Sequence, residues 1–222
     1  MRIQLVIFDM DGVIFEGDNF WLELHRRYGT EREGLELASK YLVSDYMNLA
    51  NLVAGRLWKG KPASVYNLMV KRRLYQPGVR KVFGYLKHHN IRSAILSSGP
   101  YHLALRAQKD LGIDAVWANR LSISNDAITG EVEVMVRDYD KKDVGLGIIR
   151  QFNAQPSRTV FVGDSDADAA LAEVVGLPVA YDCKSARLSK ACKYALNYGE
   201  LERLTDIIAN AQSEQIGLSV SG

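Results

Sequence analysis

The segment that decides the fold runs from residue 3 to residue 13 and reads IQLVIFDMDGV. Its apolar part is too short for a helix and is typical of a buried strand. Asp9 and Asp11 follow directly, at the strand end where ligands bind in open α/β sheets. Two carboxylates this close repel each other unless a cation or a proton lies between them. One carboxylate can therefore hold a hard cation and act as a nucleophile while the other transfers protons. Asp11-Gly12 is also common turn chemistry, so a plain turn stays a competing interpretation of this segment.

Four further apolar runs of strand length follow, with helical segments between several of them. The five runs are rich in Val, Ile and Phe and cover residues 3–8, 93–97, 115–118, 159–162 and 179–181. The clearest helical patterns cover Val79–His88, Tyr101–Leu111 and 143–152. Short apolar strands that alternate with helices indicate a parallel sheet covered on both faces. The sequence thus predicts an α/β fold with a doubly wound, Rossmann-like parallel sheet.

Residues 19–76 interrupt this alternation. They hold no convincing strand and are dense in Leu, Tyr, Arg and Glu at helical spacing, so we expect a small helical cap inserted after the first strand. Pro77-Gly78 marks the return to the core. The predicted catalytic core therefore comprises residues 1–18 and 77–211, with a β-hairpin at 121–134 and a flexible polar tail at 212–222.

The composition excludes several classes of protein. The chain has 222 residues, and its 28 basic and 26 acidic residues give a net charge of +2. A hydrophobic content of 47% is enough for a core, and the mild charge does not indicate a nucleic-acid partner. We find neither a membrane-spanning run nor a signal-peptide pattern, so no membrane partner is expected. Cys183 and Cys192 form no disulfide framework, which predicts a cytoplasmic protein. We expect a monomer or a homodimer.

A second acidic cluster follows the fourth apolar run. Gly163 is expected to let the backbone turn sharply, after which Asp164 ends the strand and Asp168 lies about one helical turn later. Carboxylates are the ligands that Mg²⁺ prefers. Acidic residues also cap helix N-termini, which accounts for part of this pattern. Capping alone does not explain why both acidic clusters follow strands of one sheet.

Two further segments suit an anion. Ser97, Ser98 and Gly99 come at another strand end and lead into a helix, so their hydroxyl and backbone N–H groups can form an anion cradle. Lys141 and Lys142 open the next helix, and a lysine can neutralise developing phosphoryl charge. A loop and a solvated Lys pair are the competing interpretations.

The four segments together resemble the haloacid dehalogenase-like superfamily of phosphotransfer enzymes. Its pattern is D-x-D after the first strand, then Ser or Thr, then Lys, then G-D-x-x-x-D, and all four occur here in that order. The resemblance is closest to the phosphoserine phosphatase branch, whose helical cap lies where residues 19–76 lie. It implies a phosphatase that forms an aspartyl-phosphate on a small phosphomonoester.

The resemblance also implies roles for individual residues. Asp9 would be the nucleophile and Asp11 the general acid and base. Mg²⁺ would be held by Asp9, Asp164 and the backbone carbonyl of Asp11. Asp168 would either bind the ion directly or support the residues that bind it. The phosphoryl oxygens would be bound by the segment 97–99, chiefly Ser97, and by Lys142, which we prefer to Lys141 because its spacing to the hydrophobic run 146–149 fits better.

The sequence does not identify the substrate. In the branch that the chain resembles, an acidic cap residue and an Arg bind the amino and carboxylate groups of phosphoserine. Asp18 lies near the acidic position, but Leu52 occupies the expected Arg position, and Arg56 lies one helical turn later. The substrate is therefore phosphoserine or another small phosphomonoester. A phosphomutase on the same scaffold, a receiver-like signalling module and a non-catalytic phosphate-binding relative are the alternatives.

Overall fold

The computed structural model describes residues 2–218, and a mostly parallel β-sheet forms its centre. The strands within that range are β1 (Leu5–Phe8), β2 (Arg92–Pro100), β3 (Ala115–Ser124), β4 (Ala127–Glu133), β5 (Thr159–Gly163), β6 (Leu177–Tyr181) and β7 (Tyr194–Leu196). Their order across the sheet is β4-β3-β2-β1-β5-β6-β7. Neighbouring strands run parallel, except for the antiparallel pair β3 and β4. The predicted parallel α/β sheet is confirmed.

Helices cover both faces of the sheet. The helices of the described residues are α1 (Phe20–Tyr28), α2 (Glu31–Tyr41), α3 (Tyr46–Leu52), α4 (Ala63–Arg72), α5 (Val79–His88), α6 (Tyr101–Leu111), α7 (Lys141–Gln151), α8 (Ala169–Ala172), α9 (Ala186–Ala191) and α10 (Leu204–Leu218). Helices α5 to α10 pack on the sheet, and α1 to α4 belong to the segment 19–76. None of the helices in this range combines the length and the hydropathy needed to cross a bilayer.

The central strand β1 shows why the sheet must be doubly wound. Successive side chains of a strand point to opposite faces. Val6 and Phe8 pack into one apolar cluster with α5, α6 and α10, and Leu5 and Ile7 pack into a second cluster with α7, α8 and α9. All four side chains are fully buried. A strand that is apolar on both faces needs a helical layer on each side, as the sequence predicts.

The order of the strands reverses at β1, which lies between β2 and β5. Phe8 is in register with Ile95 of β2 and Val162 of β5, and the Asp9 N–H donates to the Val162 carbonyl over 2.9 Å. Residues that follow these three strands are therefore brought to one edge of the sheet. Such a switch point forms the usual ligand crevice of an open α/β sheet.

The segment 19–76 is helical, as expected: it contains α1 to α4 and a π-helical stretch, Val53–Trp58. The β3–β4 hairpin supports it through backbone hydrogen bonds from Gly60 to Ile128 and from Ala63 to Asp126. Phe20 of the insert shares one apolar cluster with Phe8 of the core, so the two regions pack continuously. That the insert and the core are separate domains stays a prediction.

Three details differ from the predicted elements. Strand β2 extends to Pro100, so the Ser-Ser-Gly segment lies at its irregular end and not in a loop. Strand β7 has only three residues, too few for an apolar pattern to reveal it. Helix α10 continues through the first part of the predicted loose tail to Leu218, and residues 219–222 lie outside the described part of the chain.

Two helical glycines test how closely the helices pack. A Cβ on Gly145 of α7 would lie 2.6 Å from a methyl carbon of the fully buried Leu171, whereas a Cβ on Gly84 of α5 meets nothing within 4 Å. We expect Gly84→Ala to raise the free energy of unfolding by about 0.5–1 kcal/mol, because alanine has a higher helix propensity than glycine. Gly145→Ala should instead lower it by about 1–3 kcal/mol through overpacking. Urea unfolding followed by circular dichroism measures both; a gain in stability for Gly145→Ala would contradict the packing described.

Candidate active site

Asp9 lies immediately beyond β1 and is only 5% exposed. Its Oδ1 accepts the Met10 N–H over 2.7 Å, and its Oδ2 lies 3.0 Å from the Nζ of Lys141. Burial raises the pKa of Asp9 to about 7, although the ammonium of Lys141 pulls it down. The carboxylate is thus held in one orientation by a backbone dipole and a buried cation.

Asp11 is anchored by the insert. Its Oδ2 accepts the Phe20 N–H over 3.0 Å, at the start of α1. Its Oδ1 is buried, has no hydrogen-bond partner among the described residues, and lies 3.6 Å from the guanidinium of Arg73. Burial raises the pKa of Asp11, and Phe20 and Arg73 oppose that rise. A buried carboxyl with a raised pKa and a free oxygen suits proton transfer.

Sequence reasoning missed Arg73. Its side chain is 8% exposed, pairs with Glu23 over 2.6 Å and donates to the Asp18 carbonyl. In the sequence it ends a run of three basic residues, which looks like an exposed charged face. No local pattern links it to Asp11, because the chain must fold before the two meet.

The second acidic cluster organises the loop after β5. The Oδ2 of Asp168 accepts the N–H groups of Asp164 and Ser165 and the Ser165 hydroxyl, at 3.0–3.1 Å. Its Oδ1 accepts the Lys141 ammonium over 2.8 Å. Asp168 is fully buried and its oxygens already have partners, so its geometry suits support of the loop and of Lys141. Whether it also touches a metal stays a prediction.

A cation would fit between the two clusters. One oxygen each of Asp9, Asp164 and Asp168 lies within 4.8 Å of the others. Burial, together with the carboxylates of Asp9 and Asp168, raises the pKa of Asp164 to about 8. The carboxylate of Asp164 makes no hydrogen bond or ion pair within residues 2–218. Three carboxylates against one ammonium leave negative charge that a divalent cation would neutralise, so the donor set suits a hard metal ion.

Two glycines make room for these carboxylates. Gly12 has a φ of 79°, which favours glycine, and a Cβ there would collide with the Oδ2 of Asp164. At Gly163 the expected reason was wrong. Gly163 is the last residue of β5 and has no positive φ, but a Cβ there would lie 2.6 Å from the Cγ of Asp168. Glycine serves close approach at that position and not a sharp turn.

The three residues of the Ser-Ser-Gly segment differ in how well they are placed to bind an anion. Ser97 is buried, and its Oγ accepts the Gly99 N–H over 3.1 Å, so its own proton stays available to an anion. The Ser98 hydroxyl donates to Asp138 over 2.6 Å. Gly99 is buried beneath the side chain of Met10 and, unlike the two serines, does not line the crevice. Ser97 is therefore the best placed of the three.

Asn119, which sequence reasoning also missed, holds this segment in place. Its amide nitrogen donates to the carbonyls of Ser98 and Val136, and its Oδ1 accepts the N–H groups of Met135 and Val136. The role of Asn119 appears only when β2, β3 and the segment after β4 are assembled.

The choice of Lys142 was wrong, because the structure brings Lys141 to the site. Helix α7 begins at Lys141, and its buried face carries Lys141, Gly145 and Ile148, spaced four and three residues apart. Lys142 falls outside that face and makes no ion pair within the described residues. Burial alone would lower the pKa of Lys141, but Asp168 and Asp9 outweigh burial and hold the pKa above its ordinary value.

The two predicted substrate residues are placed differently. Asp18 is exposed and lines the crevice of about 790 Å³ that also contains Asp9, Asp11 and Lys141. Arg56 is exposed in the π-helical stretch and does not line this crevice. A substrate contact for Asp18 remains a prediction, whereas Arg56 does not reach the site in this structure.

Comparison with known proteins places the chain in a family. A model described as haloacid dehalogenase-like hydrolase matches residues 6–173. The chain belongs to this family. The matched region contains every carboxylate of the site, from Asp9 to Asp168, together with Ser97 and Lys141.

Three of the proteins similar to this family member are named phosphoserine phosphatase. Phosphoserine phosphatase from Archaeoglobus fulgidus is 27% identical over 82% of this chain, which spans 53% of that relative's length. The phosphoserine phosphatase from Idiomarina loihiensis is 27% identical over 89% of this chain and 90% of its own. A solved phosphoserine phosphatase in apo form has the same fold, with a TM-score of 0.79 at 21% identity over 93% of this chain and all of its own. The predicted enzyme class, a phosphatase near the phosphoserine phosphatase branch, is confirmed.

The two lysines provide a matched test of the site. We expect Lys141→Met to lower kcat/KM by about 10²-fold or more, because it removes the buried cation beside Asp9. Lys142→Met should stay within about twofold of the wild type. Steady-state hydrolysis of an aryl phosphate measures both, and thermal unfolding checks that both variants fold. Similar losses in the two variants would contradict the assignment of Lys141.

Proposed function

We propose that this protein is a phosphomonoester hydrolase that uses Mg²⁺ and forms an aspartyl-phosphate on Asp9. The observation that carries the proposal is the arrangement around Asp9: two further carboxylates within 4.8 Å and a buried ammonium at 3.0 Å. Such a site holds a cation and a nucleophile together at the switch point of the sheet. That combination suits in-line phosphoryl transfer.

The first step transfers the phosphoryl group to the enzyme. A carboxylate oxygen of Asp9 attacks phosphorus, and the ester bond breaks with its electron pair on the leaving oxygen. Asp11 donates the proton that turns this oxygen into an alcohol. Ser97 and Lys141 bind the phosphoryl oxygens, whose negative charge the buried ammonium neutralises. The raised pKa of Asp11 supports its role as the acid.

The second step releases phosphate. Water attacks the phosphorus of the aspartyl-phosphate, Asp11 takes a proton from that water, and the bond between phosphorus and Asp9 breaks. Asp9, Asp164 and the backbone carbonyl of Asp11 would hold Mg²⁺, and Asp168 would support the loop that carries Asp164. When bound, the ion neutralises phosphoryl charge as a Lewis acid.

The substrate and the cellular setting are further parts of the proposal. Phosphoserine is the first compound to assay, because the similar proteins are named phosphoserine phosphatases. Release of inorganic phosphate, rather than transfer to a sugar hydroxyl, separates the hydrolase from the phosphomutase alternative. A cytoplasmic location and a monomeric or homodimeric state stay predictions from the sequence.

Substitution of the two aspartates tests the mechanism. Asp9→Asn should abolish turnover and prevent formation of a hydroxylamine-sensitive phosphoprotein, because an amide is a poor nucleophile. Asp11→Asn should slow turnover by about 10²–10⁴-fold, the usual contribution of general acid–base catalysis. Asp143 is exposed in α7, so Asp143→Asn is the control and should show the turnover and phosphoprotein formation of the wild type. Wild-type phosphoprotein formation in Asp9→Asn would exclude the covalent step on this residue.

Removal of the metal tests the cofactor. Chelation should abolish phosphate release; Mg²⁺ should restore it, and the larger Ca²⁺ should restore it poorly. Asp164→Asn should weaken metal binding, measured by titration calorimetry, by about tenfold or more, with Asp143→Asn again unchanged. Full turnover after exhaustive chelation would contradict the metal requirement.

A further inference from the structure

A second cavity opens beside the crevice. It has a volume of about 260 Å³ and lies between the helical insert and the β3–β4 hairpin. Asn19, Ser98 and Asp138 line both the crevice and this second space, which we call the cap cavity. The cap cavity therefore adjoins the crevice that contains Asp9.

The walls of the cap cavity are mainly apolar. Its aliphatic surface comes from both sides, with Leu22 and Val53 on the insert and Leu121 and Val132 on the hairpin. The rings of Trp21 and Trp58 complete it, with their centroids 5.8 Å apart. Such walls favour a partner that loses its hydration shell at little cost.

Within the described residues, the lining of the cap cavity carries no lysine and no arginine. Its histidine, His25, is buried, and burial lowers its pKa to about 4, so it is neutral near pH 7. Its one carboxylate, Asp138, lies on the rim and accepts the Ser98 hydroxyl. Nothing in these walls supplies a positive charge.

The cations of the active site and of the crevice lie outside the lining of the cap cavity. Arg73 is paired with Asp11 and Glu23, and Lys141 lies between Asp9 and Asp168. Lys184 lines the crevice from the segment after β6, which lies on the opposite side of β1 from β3 and β4. A carboxylate in the cap cavity would be buried without a partner, which is costly.

We propose that the cap cavity binds the leaving group of the substrate and that this group is uncharged and apolar, an alkyl or aryl group. This inference rests on the proposed phosphomonoester hydrolysis and narrows its substrate class. An apolar cavity of about 150 Å³ holds a benzene molecule, and the cap cavity, at about 260 Å³, is larger. Short and medium alkyl chains and single aromatic rings fit that space.

A series of n-alkyl phosphates from methyl to octyl, assayed with Mg²⁺, tests the proposal. Each methylene that enters the cavity should raise kcat/KM about fourfold, and the rise should level off once the cavity is full. Propyl phosphate has the same carbon number as phosphoserine and should be hydrolysed at least tenfold more efficiently. Phosphocholine tests whether the aromatic rings prefer a cationic group.

Three variants show whether the chain-length dependence arises in the cap cavity. Ala54→Leu should fill part of the space and move the plateau to shorter chains, because Ala54 lines it. Leu22→Ala should enlarge the space and move the plateau to longer chains. Opposite shifts cannot come from a general loss of folding. Leu68→Ala is the control, since Leu68 is 45% exposed on α4 and lines neither cavity.

Binding of n-alkylphosphonates in the presence of Mg²⁺, measured by titration calorimetry, separates the two proposals. If no ester is hydrolysed but phosphonate affinity still rises with chain length, the hydrolase proposal fails and the cavity assignment stands. A flat chain-length series, or a preference for phosphoserine or phosphocholine over propyl phosphate, would overturn the assignment while hydrolysis itself stands. If neither hydrolysis nor chain-dependent binding is seen, both proposals fail.

Discussion

The contact on which the site depends is the buried ammonium of Lys141 between Asp9 and Asp168. The switch point of the sheet brings acidic segments from β1 and β5 together, and burial makes their mutual repulsion severe. The ammonium lies 3.0 Å from one carboxylate and 2.8 Å from the other, so it joins the two segments. Removing one partner of such a buried pair leaves an uncompensated charge, so the arrangement of the two acidic segments depends on Lys141.

The insert completes the site and does more than cover it. The N-terminus of α1 orients Asp11 through the Phe20 N–H, and Arg73, just after α4, approaches the other oxygen of the same carboxylate. Trp21 donates to the Ser98 carbonyl, which also accepts from Asn119. Helix α1 therefore has two contacts with the site, because its N-terminus orients Asp11 and its side chains Trp21, Leu22 and His25 line the cap cavity.

Membership of the family and choice of substrate depend on different parts of the chain. In the proposed mechanism, the carboxylates, Ser97 and Lys141 contact only a phosphoryl group and a cation, so they would suit any phosphomonoester. Selectivity has to come from the space beyond the ester oxygen. There the walls are apolar, and the described lining offers no counter-charge for an amino-acid carboxylate. The name phosphoserine phosphatase belongs to relatives at 27% identity and does not by itself identify the leaving group for this chain.

The sequence by itself determined the sheet, the position of the helical insert, the hairpin and the two acidic clusters. These follow from local rules: apolar runs of strand length, helical spacing, turn residues and carboxylates at strand ends. Only the tertiary structure decided between Lys141 and Lys142, because the packing of α7 on the sheet selects which face is buried. It also brought Arg73 to Asp11, assigned the support of Ser98 to Asn119 and formed the cap cavity. Each of these joins side chains that are far apart along the chain, and their geometry depends on how whole helices and strands pack.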